Sequence, residues 1–108
     1  MPGVDADHLF DEIVDECRGR GAEPAMMFGK RALKAHGKGF ACLKGEAVAF
    51  RLVAGTPEHA EALALEGAQL FDPSAKDRPF KDWVSVPLAE AEAWSRLAQV
   101  ALDRLTSA

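Results

Sequence analysis

The chain has 108 residues, 48% of them apolar and 28% charged, and a formal net charge of −4. This is enough for one hydrophobic core and too little for two, so residues 1–108 read as a single ordinary globular domain. No apolar run approaches the ~20 residues of a membrane helix, and the acidic start MPGVDADHLF lacks the basic and apolar blocks of a signal peptide. The expected location is therefore the cytoplasm, with no membrane partner. Cys17 and Cys42 form no CxxC pair and read as buried free thiols. The charge is unevenly spread: residues 1–17 carry six acids and no base, and residues 18–51 carry eight bases against Glu23 and Glu46. A basic block within an acidic chain points to an anionic partner.

From Asp5 to about Arg18, apolar residues recur at Leu9, Phe10, Ile13, Val14 and Cys17, which predicts a helix capped by Asp5 or Asp7. GRGAEP ends it. Residues 26–53 then divide into MMFGKRALKA, GKGFACLK and EAVAFRLV, separated by the turn dipeptides HG and GE, and predict three antiparallel strands. GTPEHAEALALEG predicts a second helix with Thr56 as N-cap, Pro57 in the first turn and Gly67 at its end. AQLFD and KDWVSV predict two more strands, and residues 88–106 a last helix burying Trp94, Leu97, Ala98, Ala101, Leu102 and Leu105. The expected class is α+β: two layers, an antiparallel five-stranded sheet with helices on one face, in the order α-βββ-α-ββ-α.

A two-residue turn at Gly45-Glu46 sets Lys44 opposite Ala47, Leu43 opposite Val48 and Ala41 opposite Phe50. Ala41, Leu43, Val48, Phe50 and Leu52 then share the face expected to meet the helices. Alternation assigns Phe28, Lys30, Lys34, Phe40, Lys44, Arg51, Lys81 and Trp83 to the other face. Rings interleaved with bases suit single-stranded nucleic acid, where rings stack and cations follow phosphates. Cys42, Ala47 and Ala49, small and apolar on the same face, suit a protein partner or a homodimer. A solvated basic face with its rings folded away is the plainer reading.

Nothing in the chain marks catalysis or a cofactor. His8, His36 and His59 have neither HxxxH nor HxH spacing, GKG at 37–39 lacks the length of a phosphate loop, and Asp72, Asp77 and Asp82 do not match a calcium loop. No metal site, cofactor or catalytic residue is expected, and the chain reads as a non-enzyme. The alternative is a small enzyme or ligand carrier whose site the sequence does not mark.

Met27-Phe28-Gly29, Gly37-Lys38-x-Phe40-Ala41, Phe71-Asp72-Pro73 and Arg78-Pro79-x-Lys81-x-Trp83-Val84-x-Val86-Pro87 together resemble the TfoX N-terminal domain family, related to the MmcQ/YjbR-like proteins. The resemblance spans roughly residues 26–106. It implies an antiparallel α+β domain without established catalysis, here standing alone as a binding or regulatory module. Phe80 occupies a position where the family pattern leads one to expect methionine. FDPSAKDRPFKDWVSVP, residues 71–87, places a base within a few residues of every acid. It therefore reads as a loop fastened by its own ion pairs, with Asp72 starting a turn, Arg78 in an extended segment and Phe80 plugging the core edge.

Overall fold

The computed structural model describes residues 5–72 and 79–106. Its elements are α1 (Ala6–Arg18), β1 (Glu23–Met27), β2 (Lys30–Ala35), β3 (Lys38–Lys44), β4 (Ala47–Arg51), α2 (Pro57–Leu63), β5 (Gln69–Phe71), β6 (Phe80–Pro87), a 3-10 segment (Leu88–Ala93) and α3 (Trp94–Thr106). The class is α+β, as the residue pattern predicts, but the antiparallel sheet has six strands, ordered β1-β2-β3-β4-β6-β5.

The sixth strand arises because residues 26–35 are a hairpin rather than one strand. Phe28 (φ 54°) and Gly29 (φ 72°) both lie in the left-handed region and close a two-residue turn between Met27 and Lys30. That mirror-image turn matches the twist of the flanking strands, but asparagine or glycine usually occupies its first position. His36 (φ 54°) and Gly37 (φ 76°) form the next such turn. At Gly45-Glu46 the predicted register holds, with Lys44 opposite Ala47, Leu43 opposite Val48 and Ala41 opposite Phe50.

Local chemistry sets the helix boundaries. Asp5 caps α1 by accepting the His8 amide at 2.8 Å. Thr56 caps α2, with Pro57 in its first turn. This helix ends at Leu63, short of the expected Gly67: the amides of Leu65 and Ala68 bond three residues back, to Ala62 and Leu65. The last helix starts later than expected, at Trp94, after a 3-10 segment in which Glu90 is non-helical.

The helices bury one face of the sheet. Phe10, Ile13, Val14, Trp94, Leu97 and Leu102 pack against Leu33, Ala41, Leu43, Val48, Phe50, Leu52, Val84 and Val86. The indole nitrogen of Trp94 donates to the Val86 carbonyl at 3.1 Å, which satisfies the polar atom of a buried ring. Phe40 belongs to this core as well, at 0% exposure, and not to the opposite face where strict alternation puts it. The reason is a β-bulge. Leu33 pairs with Ala41 and Lys34 with Gly39, which leaves Phe40 as the extra residue of β3. Alternation slips there, and the neighbours Phe40 and Ala41 both enter the helix-side core.

Two measurements check this arrangement. Phe40→Ala should lose ~3–5 kcal/mol in denaturant unfolding, the cost of truncating a buried phenylalanine; a loss below about 0.5 kcal/mol would return the ring to the surface. Glu58 of α2 meets Arg104 of α3. Its own backbone amide first, and then Arg104, hold the Glu58 carboxyl below its usual value. A lowered carboxyl stabilises the fold fully above the unfolded value of ~4.3, and that contribution fades as pH falls through the folded value. Glu58→Gln should therefore be less stable than the wild type at neutral pH and converge with it in acid.

Candidate interaction surface on the outer sheet face

The face away from the helices carries a second, smaller apolar cluster. Ala32, Cys42, Ala49, Phe71 and Trp83 are buried there, with Met27 packed against them. Met27 takes the space that Gly39 leaves open, since a Cβ on Gly39 would lie only 2.3 Å from its sulfur. A flat sheet would leave these groups exposed, but this sheet curls. Lys44 of β3 donates to the Asp72 carbonyl at 2.8 Å, although β4 and β6 lie between β3 and β5. Phe28, in the turn at one sheet edge, lies 6.4 Å from Phe71 in the strand at the other edge. The outer face is therefore concave, and side chains from both ends close over its centre.

Curling changes what the rings present. Trp83 is on the expected face but only 8% exposed, tilted against Phe71 at 5.8 Å. It is no open stacking platform. Phe80 does not plug the helix-side core: it is 38% exposed on the outer side, 6.2 Å from Phe71 and 5.6 Å from Phe28. A register shift where β5 meets β6 sets Phe71 opposite Phe80 and brings the two rings to one side. Phe28 is the more open ring, at 52%. Centroid spacings of 5.6–6.4 Å among Phe28, Phe71 and Phe80 are those of mutually packed aromatic rings.

Of the predicted bases, Lys30 and Lys44 lie near Cys42, Arg51 is opposite Trp83, and Lys34 is opposite Gly39. Lys30, Lys34, Lys44 and Arg51 are half-buried, and Lys81 is exposed. Among the described residues Lys30, Lys34, Arg51 and Lys81 enter no ion pair. On the helix side four arginines are matched: Arg20 with Asp103, Arg31 with Asp7 and Asp11, Arg96 with Glu61, Arg104 with Glu58. Arg31 also covers the Phe10 ring, 5.1 Å from its centroid. The acidic first helix thus neutralises Arg31, and Lys30, Lys34, Lys44 and Arg51 of the basic block lie on the sheet face. Cys42 lies among these groups: burial pushes its thiol up, while Lys30 and Lys44 pull it down. Cys17 is buried on the helix side of the sheet, and burial raises its thiol as well. The sheet separates the two thiols.

Arg78 lies outside the described residues, so the loop's expected ion pairs are not part of this geometry. What fastens the start of β6 is the corner between β4 and α2. The Asp82 carbonyl accepts the amides of Leu52 and Val53, and its carboxylate accepts the Ala54 amide at 2.8 Å. His59, buried on α2, donates from Nε2 to the Lys81 carbonyl at 2.8 Å. These bonds hold Val53 at φ 68°, a conformation that costs a β-branched residue about 1–3 kcal/mol. Lys81 and Phe80 therefore sit on an anchored segment.

Beside the rings a cavity of about 290 Å³ opens between Lys44, Ala47, Gln69, Phe71, Asp72 and Ser85. Sequence reasoning placed the lysines, Arg51 and Trp83 on this face but missed Met27 and Phe71 as its packing partners. The Phe71-Asp72-Pro73 run is the signal that could have found Phe71. Among the described residues no three His, Cys, Asp or Glu side chains converge as a metal site would require. Among the described residues no helix is long and apolar enough to cross a membrane. Comparison of the chain with family models, with curated proteins and with solved structures finds no match.

Because Phe80 keeps over a third of its surface in water, Phe80→Ala should cost about 1–2 kcal/mol in urea unfolding, less than a core phenylalanine. A loss of about 3 kcal/mol or more would mean the ring closes a true core.

Proposed function

We propose that this chain is a non-catalytic binding module of the TfoX N-terminal type, and that the concave sheet face takes a protein segment. The observation that carries this reading is Phe28. A phenylalanine occupies a left-handed turn position where asparagine would be less strained, and it keeps 52% of its surface exposed. Strain of this kind persists where something else is gained, and a half-open aromatic beside other rings is the usual anchor of a protein interface. Single-stranded nucleic acid fits less well. Phe40 lies in the core, Trp83 is covered, and Phe28 and Phe80 pack against each other at 5.6 Å. Rings that meet one another offer little free face for bases to stack on. The cavity beside Lys44 keeps a second reading, a small-ligand carrier, which a thermal-shift screen would reveal as a raised Tm.

The separating variant is Phe28→Asn, which restores the common Asn-Gly turn while removing the ring. Its stability should stay within about 1 kcal/mol of the wild type, because the relieved turn offsets the lost ring contacts. Peptides selected from a random library on the pure protein should lose at least ~10-fold in affinity for the variant, as hot-spot truncation does. Equal binding to both proteins would remove Phe28 from the working surface and overturn the reading.

A further inference from the structure

The basic rim says what kind of segment the face accepts, an inference that rests on the protein-binding reading above. We infer that the partner is an acidic extended segment with alternating apolar side chains. Three observations converge on this.

First, charge is segregated by face. Arg20, Arg31, Arg96 and Arg104, on the helix side, all meet carboxylates of this same chain. Lys30, near Cys42, and Arg51, opposite Trp83, lie on the sheet face and meet none among the described residues. Glu23 lies directly across from Lys34, and Asp72 lines the cavity beside Lys44; neither is paired with Lys30 or Arg51. At ionic strength near 0.1 M the screening length is about 10 Å, so an approaching segment feels this rim more than the net charge of −4. Second, the apolar features are discontinuous. The Phe28–Phe80 pair and the 290 Å³ cavity both adjoin Phe71; the cavity has room for one side chain of an extended segment, and the half-open Phe28 ring offers a second, separate apolar contact. Third, Lys44 is bonded to the Asp72 carbonyl at the cavity wall, with Gln69 and Ser85 beside it. The wall thereby offers polar groups to a backbone that runs past it. A basic rim around an apolar centre complements alternating acids and large apolar residues.

The probe is a fluorescein-labelled ten-residue peptide in which glutamate alternates with leucine and phenylalanine, measured by anisotropy on the full chain. Its partner probe replaces each glutamate by glutamine. The glutamate peptide should bind at least ~10-fold tighter than the glutamine peptide, and should weaken ~10-fold or more between 50 and 300 mM salt. The double variant Lys30→Glu/Arg51→Glu should abolish that preference, and Phe28→Asn should weaken both peptides; thermal melts verify that each variant folds. Equal, Phe28-dependent binding of the two peptides would overturn the acidic partner and leave the protein-binding surface standing. Binding of neither peptide would overturn both. If a twelve-nucleotide single strand then bound in a salt-sensitive way, the face would serve nucleic acid. If light scattering instead showed a dimer that Phe28→Asn dissolves, the occupant would be a second copy of the chain.

Discussion

One extra residue in β3 governs how this molecule presents itself. With Lys34 paired to Gly39 and Leu33 to Ala41, Phe40 has no partner across the sheet, and the strand must bend to accommodate it. The bend sends Phe40 into the helix-side core and leaves Gly39 as open space that Met27 fills. A second register shift, between Leu70 and Phe71, works from the other edge. Two bulges on different strands add local twist to the sheet, and the outer face becomes concave. Only on such a face can Lys44 reach Asp72, or Phe28 reach Phe71, across strands that lie between them.

Concavity also divides the electrostatic work. The helix side pairs many of its charges internally, with α1 acids on Arg31 and α3 charges on Arg20 and on α2. Most of these pairs are solvent-exposed, so each contributes ~1 kcal/mol or less to stability. Their larger consequence is subtraction. Once Arg20 and Arg31 are taken up, the basic block of residues 18–51 has its remaining described cations mostly on or near the sheet face. Among the described residues, Lys30 and Arg51, in no ion pair, thus share the outer face with its ring cluster.

Much of the fold was legible in the sequence because hydrophobic periodicity and turn chemistry agreed. The apolar stripe of α1, the Thr56-Pro57 start of α2 and the Gly45-Glu46 register each combine two independent signals. Where one signal stood alone, it misled. Phe28-Gly29 is a turn without a turn residue at its first position, so the strand pattern ran straight through it and hid a hairpin. Phe40 obeys strict alternation on paper, but a bulge is a property of two paired strands and leaves no mark in one of them. Phe80 and Trp83 were assigned from local spacing. Their partner Phe28 comes from more than fifty residues away, and Phe71, though nearby in sequence, meets them only through a register shift between β5 and β6.

Two turns of this molecule make the same geometric demand and meet it differently. Phe28 and His36 both stand at φ 54°, each followed by a glycine in the left-handed region. Histidine is among the residues enriched in that conformation, so His36 is an ordinary solution, exposed at a hairpin tip. Phenylalanine is not, and its ring contacts could have been supplied from a less strained position. At Phe28 the strained turn holds the ring out over Phe71 and Phe80 instead of letting it fold flat beside its own strand. In the proposed binding role, a half-open ring already held by its turn would have little conformational entropy left to lose on being covered, so the strain of the free protein would lower the cost of binding.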